Sequence, residues 1–198
     1  ELGSMEFPLI IAFGESAHNV NEFNKFKLDT FKELALQGKV SNFLIEYDFS
    51  STLLINDYVQ GKDIGLALDD LLKERFDNPW NDVHMFEFLE WMKAINEDRE
   101  INKLSIFGFD GQRSDFAVEN ITGFFDGESI PLPFSKDGLK LVQEMGGALY
   151  NIKKLDKDSL ALLERTIESL NEELPKYYSD KKSLELDLMV INQNLAFE

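Results

Sequence analysis

Three short apolar runs, each closed by a glycine or an acidic residue and spaced by amphipathic stretches, constrain the fold of this chain most strongly. Pro8-Leu9-Ile10-Ile11-Ala12-Phe13 ends at Gly14, Phe43-Leu44-Ile45 at Glu46, and Leu104-Ser105-Ile106-Phe107-Gly108-Phe109 at Asp110. Runs this short and this apolar read as strands buried on both faces. Between the first two, Phe23, Phe26, Thr30, Phe31, Leu34 and Ala35 recur at helical spacing. Asn19 is the expected N-cap of that helix, with Glu22 completing a capping box, and Gly38 the residue past its end. Between the second and third, Ser50 or Ser51 is expected to cap a helix through Leu54, Ile55 and Tyr58 that Gly61 ends. Asp63 opens a short helix through Leu66, Leu68, Leu71 and Leu72. Asn78-Pro79 starts another, carrying Trp80, Val83, His84, Leu89, Met92 and Ile95, with proline at the first helical position. Strands alternating with helices in this order predict a parallel sheet flanked by helices.

No strand pattern follows Asp110. The stretch from Gly127 to Gly138, with Pro131 and Pro133, reads as a linker. Residues 139–151, 157–174 and 180–197 all read as helices, with Pro175 between the last two. The expected architecture is therefore α/β, a parallel sheet with flanking helices plus a helical segment at the C-terminal end. In residue terms this is a core over 1–126, a linker over 127–138 and a helical subdomain over 139–198.

With 198 residues the chain can build one substantial core. Seventeen phenylalanines make that core aromatic. The net charge of −17 repels phosphate backbones and anionic lipid, so neither a nucleic acid nor a membrane is an expected partner. A solvated acidic surface accounts for most of this charge. No cysteine is present, which excludes disulfides, thiol nucleophiles and cysteine-based metal sites, and a cytoplasmic setting fits. No apolar run approaches the roughly 20 residues of a membrane span, and no secretory leader pattern opens the sequence. The chain starts on Glu1 rather than Met and stops at Glu198 inside a helical pattern, so it is expected to be a piece of a longer polypeptide.

In open parallel sheets ligands bind beyond the carboxyl ends of the strands. Glu15, Glu46 and Asp110 stand at such ends, and His18 follows Glu15 at the start of a helix. A helix N-terminus disfavours imidazolium, and a neutral imidazole is what a general base requires. Glu15 or Glu46 would orient that ring, and together these groups could activate a water for attack on a carbonyl. The structural alternative is a histidine serving as a polar cap and glutamates serving as solvated loop residues. Gly127-Glu128-Ser129 repeats the Gly-Glu-Ser tripeptide without a following histidine, and it is given no role. His84 shares a helical ridge with Trp80 and Phe88, which favours a half-buried structural histidine over one that reaches the pocket. Two histidines this far apart form no metal-ligand cluster, so no metal and no cofactor is expected. Neither a Gly-x-Ser-x-Gly elbow nor a glycine-rich phosphate loop is present.

These residues resemble the erythromycin esterase family. Its strand is followed by Gly-Glu-x-x-His-Gly-x-x-Glu-Phe, read here from Gly14 to Phe23 with Asn19 in place of the second glycine. Its second strand ends in a glutamate, matched by Glu46, and Asn56-Asp57-Tyr58-Val59-Gln60-Gly61 matches the segment that follows. Trp80, Trp91, Met92, Lys93 and Asn96 match its next helix, and Gly108-Phe109-Asp110 its third strand end. The resemblance implies metal-independent hydrolysis of a small-molecule ester or lactone. His18 would be the general base, Glu15 and Glu46 its carboxylates, and His84, Asp110, Trp80 and Asn19 would bind substrate or support the site. Members of the family open macrolide rings, and the wider group includes peptide-cleaving domains. The family also carries a second catalytic histidine downstream, in a His-Asn-x-His-like motif that this sequence does not contain. Sequence beyond Glu198 or another chain is expected to supply it. Asn19 and that missing motif favour an alternative, a binding or regulatory module that keeps the fold without catalysis. Residues 139–198 would correspond to the family's helical insertion.

Overall fold

The structure, a computed structural model, describes residues 10–14, 20–76, 82–100, 102–111, 113–145 and 155–195. Two strands, β1 (Asn42–Asp48) and β2 (Ser105–Asp110), pair side by side in a two-stranded parallel sheet. Helices α1 (Asn21–Leu36), α2 (Phe49–Val59), α3 (Leu68–Arg75), α4 (Val83–Glu97), α5 (Ser114–Gly127), α6 (Lys136–Met145), α7 (Lys157–Glu173) and α8 (Ser183–Asn194) surround it in chain order. The fold is the expected α/β class with helices alone after β2. A helical crossover between β1 and β2 is what lets them run parallel.

Local signals fixed most element ends. After α1 the amide of Lys39 bonds the Leu34 carbonyl and that of Gly38 the Ala35 carbonyl, with Gly38 at φ +70°. This is the left-handed stop that glycine permits. Gly61 closes α2 in the same way. Pro175 sits in the 3-10 turn Leu174–Tyr177 that ends α7.

Four expectations differ from the structure. Ile10 to Phe13 have no strand, and Ile10 is 76% exposed. A parallel strand obtains its hydrogen bonds and its burial only from neighbours, and among the described residues this run pairs with nothing. Helix α4 starts at Val83, capped by Asp82, whose Oδ1 accepts the Met85 amide at 2.8 Å. The Asn78-Pro79 start lies outside the described residues. Helix α2 is capped by neither Ser50 nor Ser51 but by Asp48, whose Oδ1 accepts the Ser51 amide at 2.9 Å. Helix α5 fills 114–127, where no element was expected, and α6 begins at Lys136, inside the proline-containing stretch.

The described chain divides into two compact units: Glu1–Phe43 with Ile55–Ile106, and Leu44–Leu54 with Phe107–Glu198. In the first, α1 and α3 pack on α4. Its centre is an aromatic triangle: Phe31, Phe43 and Phe88 meet edge to face with centroids 5.1 to 5.6 Å apart. Trp91 stacks on Phe88, and the Lys32 ammonium lies over both rings. In the second, α5 packs on α6 and α8, and α7 on α6 and α8. Phe124, Phe125, Phe134 and Tyr177 form its aromatic centre. Phenylalanine, abundant in the sequence, is thus spent on core contacts in each unit.

Candidate active site

Strand β1 passes into α2 with no intervening loop, because Asp48 is at once the last strand residue and the cap of the helix. Along β1, Phe43 and Ile45 are buried while Asn42, Leu44 and Glu46 are exposed. Alternation therefore turns the Glu46 side chain out, two residues before the positive end of a helix dipole. Among the described residues it carries no hydrogen bond or ion pair.

The end of β2 is tied to the same turn. Thr52 Oγ1 accepts the Gly108 amide at 2.7 Å and donates to the Phe49 carbonyl at 2.8 Å. Asp48 Oδ2 accepts the Arg113 amide at 2.8 Å. A Cβ at Gly108 would stand 2.3 Å from the Tyr47 carbonyl oxygen and 2.6 Å from that of Asp48. Glycine is required there because two backbones touch. Asp110, half-buried, accepts the amide of Gly111 at 2.8 Å. The Arg113 guanidinium pairs with Asp115 at 2.8 Å and lies over the Phe116 ring.

Beneath this turn is a buried polar network that sequence reading missed. Asp187 on α8 is fully buried; its Oδ1 accepts from Ser50 Oγ at 2.8 Å and Asn120 Nδ2 at 3.0 Å. Asn120 also donates to the Ser50 carbonyl at 3.1 Å. The second oxygen of Asp187 has no partner. Burial pushes its carboxyl up to about 7; the Asn120 and Ser50 hydrogen bonds and the Lys181 charge pull the other way, and Asp48 adds to the rise. No local signal marked Asp187: it lies 137 positions from Ser50, in what reads as an ordinary amphipathic helix. Asp48 was legible as an acidic residue just ahead of a helix.

Of the residues expected to form the site, Glu46 and Asp110 come to the carboxyl ends of the two paired strands, both in the second unit. His84 lies in the first turn of α4, half-buried, in the first unit. Its charge contributes, after that of Lys25, to lowering the carboxyl of Asp29 on α1. Glu15, His18, Asn19 and Trp80 lie outside the described residues. Among the described residues no group of three or more histidines and carboxylates is placed to hold a metal ion. No described helix is long and apolar enough to cross a membrane.

An α/β layer with carboxylates at adjacent strand ends is a common setting for carbonyl hydrolysis. The erythromycin esterase family model matches residues 38–194, and the chain belongs to that family. The match takes in Glu46, His84 and Asp110 and begins after the Gly14-to-Phe23 segment. Among solved structures, a Bacillus cereus protein superposes with a TM-score of 0.63 at 20% identity, over 87% of this chain and 43% of that one. A protein described as a succinoglycan biosynthesis protein gives 0.59 at 21% identity, over 89% of this chain and 45% of that one. At these identities the likeness is one of fold. The chain spans less than half the length of either structure. No curated protein matches.

The structure also shows what the family-type motifs do. Asn96 donates to the Val59 and Leu104 carbonyls at 3.0 and 2.8 Å and accepts the Leu104 amide at 2.7 Å. Asn56 accepts the Ile106 amide at 3.1 Å, and Gln60 donates to the Leu104 carbonyl at 2.8 Å. Tyr58 bonds Glu90 and lies under the Lys93 ammonium. These positions hold α2, α4 and β2 together within the first unit. They account for the pattern without contributing to chemistry.

Proposed function

We propose that this chain carries the carboxylate-bearing part of a hydrolase site of the erythromycin-esterase type. Glu46 is the first residue of that reading. Family membership, together with an outward-turned glutamate at the end of β1 beside the Asp110 end of β2, supports it. His18 acts as general base on a water, Glu15 and Glu46 orient and charge-stabilise the imidazole, and the water attacks an ester or lactone carbonyl. Asp110, His84, Trp80 and Asn19 are assigned to substrate binding or support. The remaining proton-transfer group, a second histidine, comes from other sequence. In the full-length protein, Glu46→Gln and His18→Ala are expected to lower turnover of an ester or lactone by about 10²- to 10⁴-fold with an unchanged melting temperature. Unchanged turnover in both variants would sink the reading.

Asn19, in place of the family glycine, favours a second reading: a binding module without catalysis. It predicts ligand binding that survives His18→Ala and no product from ester, lactone or peptide. Product masses from those three substrate classes also decide whether the bond cleaved is a peptide bond.

A further inference from the structure

The β1–α2 turn that presents Glu46 is held from below by side chains far away in sequence. Ser50 is gripped at two atoms: its hydroxyl donates to Asp187 at 2.8 Å and its carbonyl accepts from Asn120 at 3.1 Å. Asn120 closes the triangle by donating to Asp187 at 3.0 Å. Every member is buried or half-buried, and Asp187 is completely so. Helices α5 and α8, themselves packed together, thereby fix the first turn of α2. Asp48, also buried, fixes the same turn from the strand side through the Ser51 and Arg113 amides.

We propose that Asp187 is a positioning residue for Glu46, acting through Ser50 and Asn120 on the turn that carries it. The proposal rests on the reading of Glu46 as a site carboxylate. A plain hydroxyl or amide would serve packing at this position equally well. An acid with one oxygen unpartnered in the interior instead makes the turn sensitive to protonation. The charged groups acting on it are Asp48 at the end of β1, which repels its anion, and Lys181 just before α8, which attracts it. Burial outweighs both and pushes the carboxyl up to about 7. The sign follows from linkage. Once the turn opens, the carboxyl returns to its ordinary value near 3.8. Between those two values the closed turn holds a proton that the open turn has lost, so closure weakens as pH rises and levels off above about 7.

The test is hydrogen exchange on the full chain, as protection factors, for the amides of 46–52 in the wild type and Asp187→Asn. In the wild type, protection should fall by close to tenfold per pH unit between about pH 5 and 7 and then level. In Asp187→Asn it should stay flat, because the amide keeps an acceptor for Ser50 and Asn120 but cannot ionise. The same pH dependence in both proteins overturns the proposal. So does a loss shared equally by the amides of α5 and α8, which would make Asp187 a packing residue alone. In the turnover assay, Asp187→Ala should lower kcat by about tenfold to 100-fold with little change in KM, and Asp187→Asn should restore it. Equal kcat in wild type and Asp187→Ala also overturns it. Absence of any turnover in the wild type counts against the hydrolase reading and leaves the exchange result to decide the role of Asp187.

Discussion

The two compact units are built on different principles. The first buries aromatic and aliphatic surface, and its few interior polar groups, such as Asn96, are neutral and fully occupied. The second buries Asp48, Ser50, Ser51, Thr52, Ser114, Thr166 and Asp187, including two carboxylates that repel each other. A neutral amide with all its hydrogen bonds made costs little to bury, whereas an acid with an orphan oxygen costs several times more. Interior ionisable groups of the second kind concentrate where chemistry is done, and here they lie under the turn that carries Glu46. The first unit is scaffold by the same criterion.

The sharpest way to break this contrast is to damage each unit and vary pH. Phe88→Ala removes the shared member of the aromatic triangle and should cost about 3 to 5 kcal/mol by denaturant unfolding. That cost should be equal at pH 5 and pH 8, since no titrating group touches the ring cluster's energetics; a strongly pH-dependent cost would dissolve the distinction. Asp187 should behave in the opposite way. Its folded carboxyl lies near 7 against an ordinary value of 3.8, so the folded chain keeps a proton that the unfolded chain has lost. Stability therefore falls as pH rises from about 4 to 7, by on the order of 3 kcal/mol, and is flat beyond. Asp187→Asn should abolish that slope and raise the melting temperature at pH 8; an unchanged slope would place the titration elsewhere. Next in size is Gly108→Ala, which drives a Cβ into the Tyr47 and Asp48 carbonyls and should cost about 2 to 3 kcal/mol. The smallest effect is expected from Gly123→Ala in α5, where a Cβ meets nothing within 4 Å. Helix propensity alone should stabilise it by up to about 1 kcal/mol. Destabilisation there would mean that α5 tolerates less than its packing implies.

Local chemistry made much of the fold readable. The runs at Phe43 and Leu104 are strands because apolar, β-compatible residues next to turn signals have few other outlets. Gly38 and Gly61 stop their helices because only glycine takes the required dihedral cheaply. The run at Ile10 had the same local look but shows no strand over Ile10–Phe13, since strand pairing depends on a neighbour and composition does not reveal one. Helix α5 escaped notice beside a tract with two prolines, yet Phe116, Ala117, Ile121, Phe124 and Phe125 bury a continuous helical stripe.

The same division runs through the site. By itself the sequence determined that Glu46 and Asp110 close adjacent strands, that the surface is acidic, and which family the motifs resemble. Each of these depends on residues close together along the chain, or on simple counts. Only the tertiary structure decided that Asn56, Gln60 and Asn96 are structural ties, that Asp48 rather than a serine caps α2, and that Asp187 reaches Ser50 across 137 positions. Burial and long-range hydrogen bonding set what a polar group costs and what it can hold, and neither is encoded in the spacing of its neighbours.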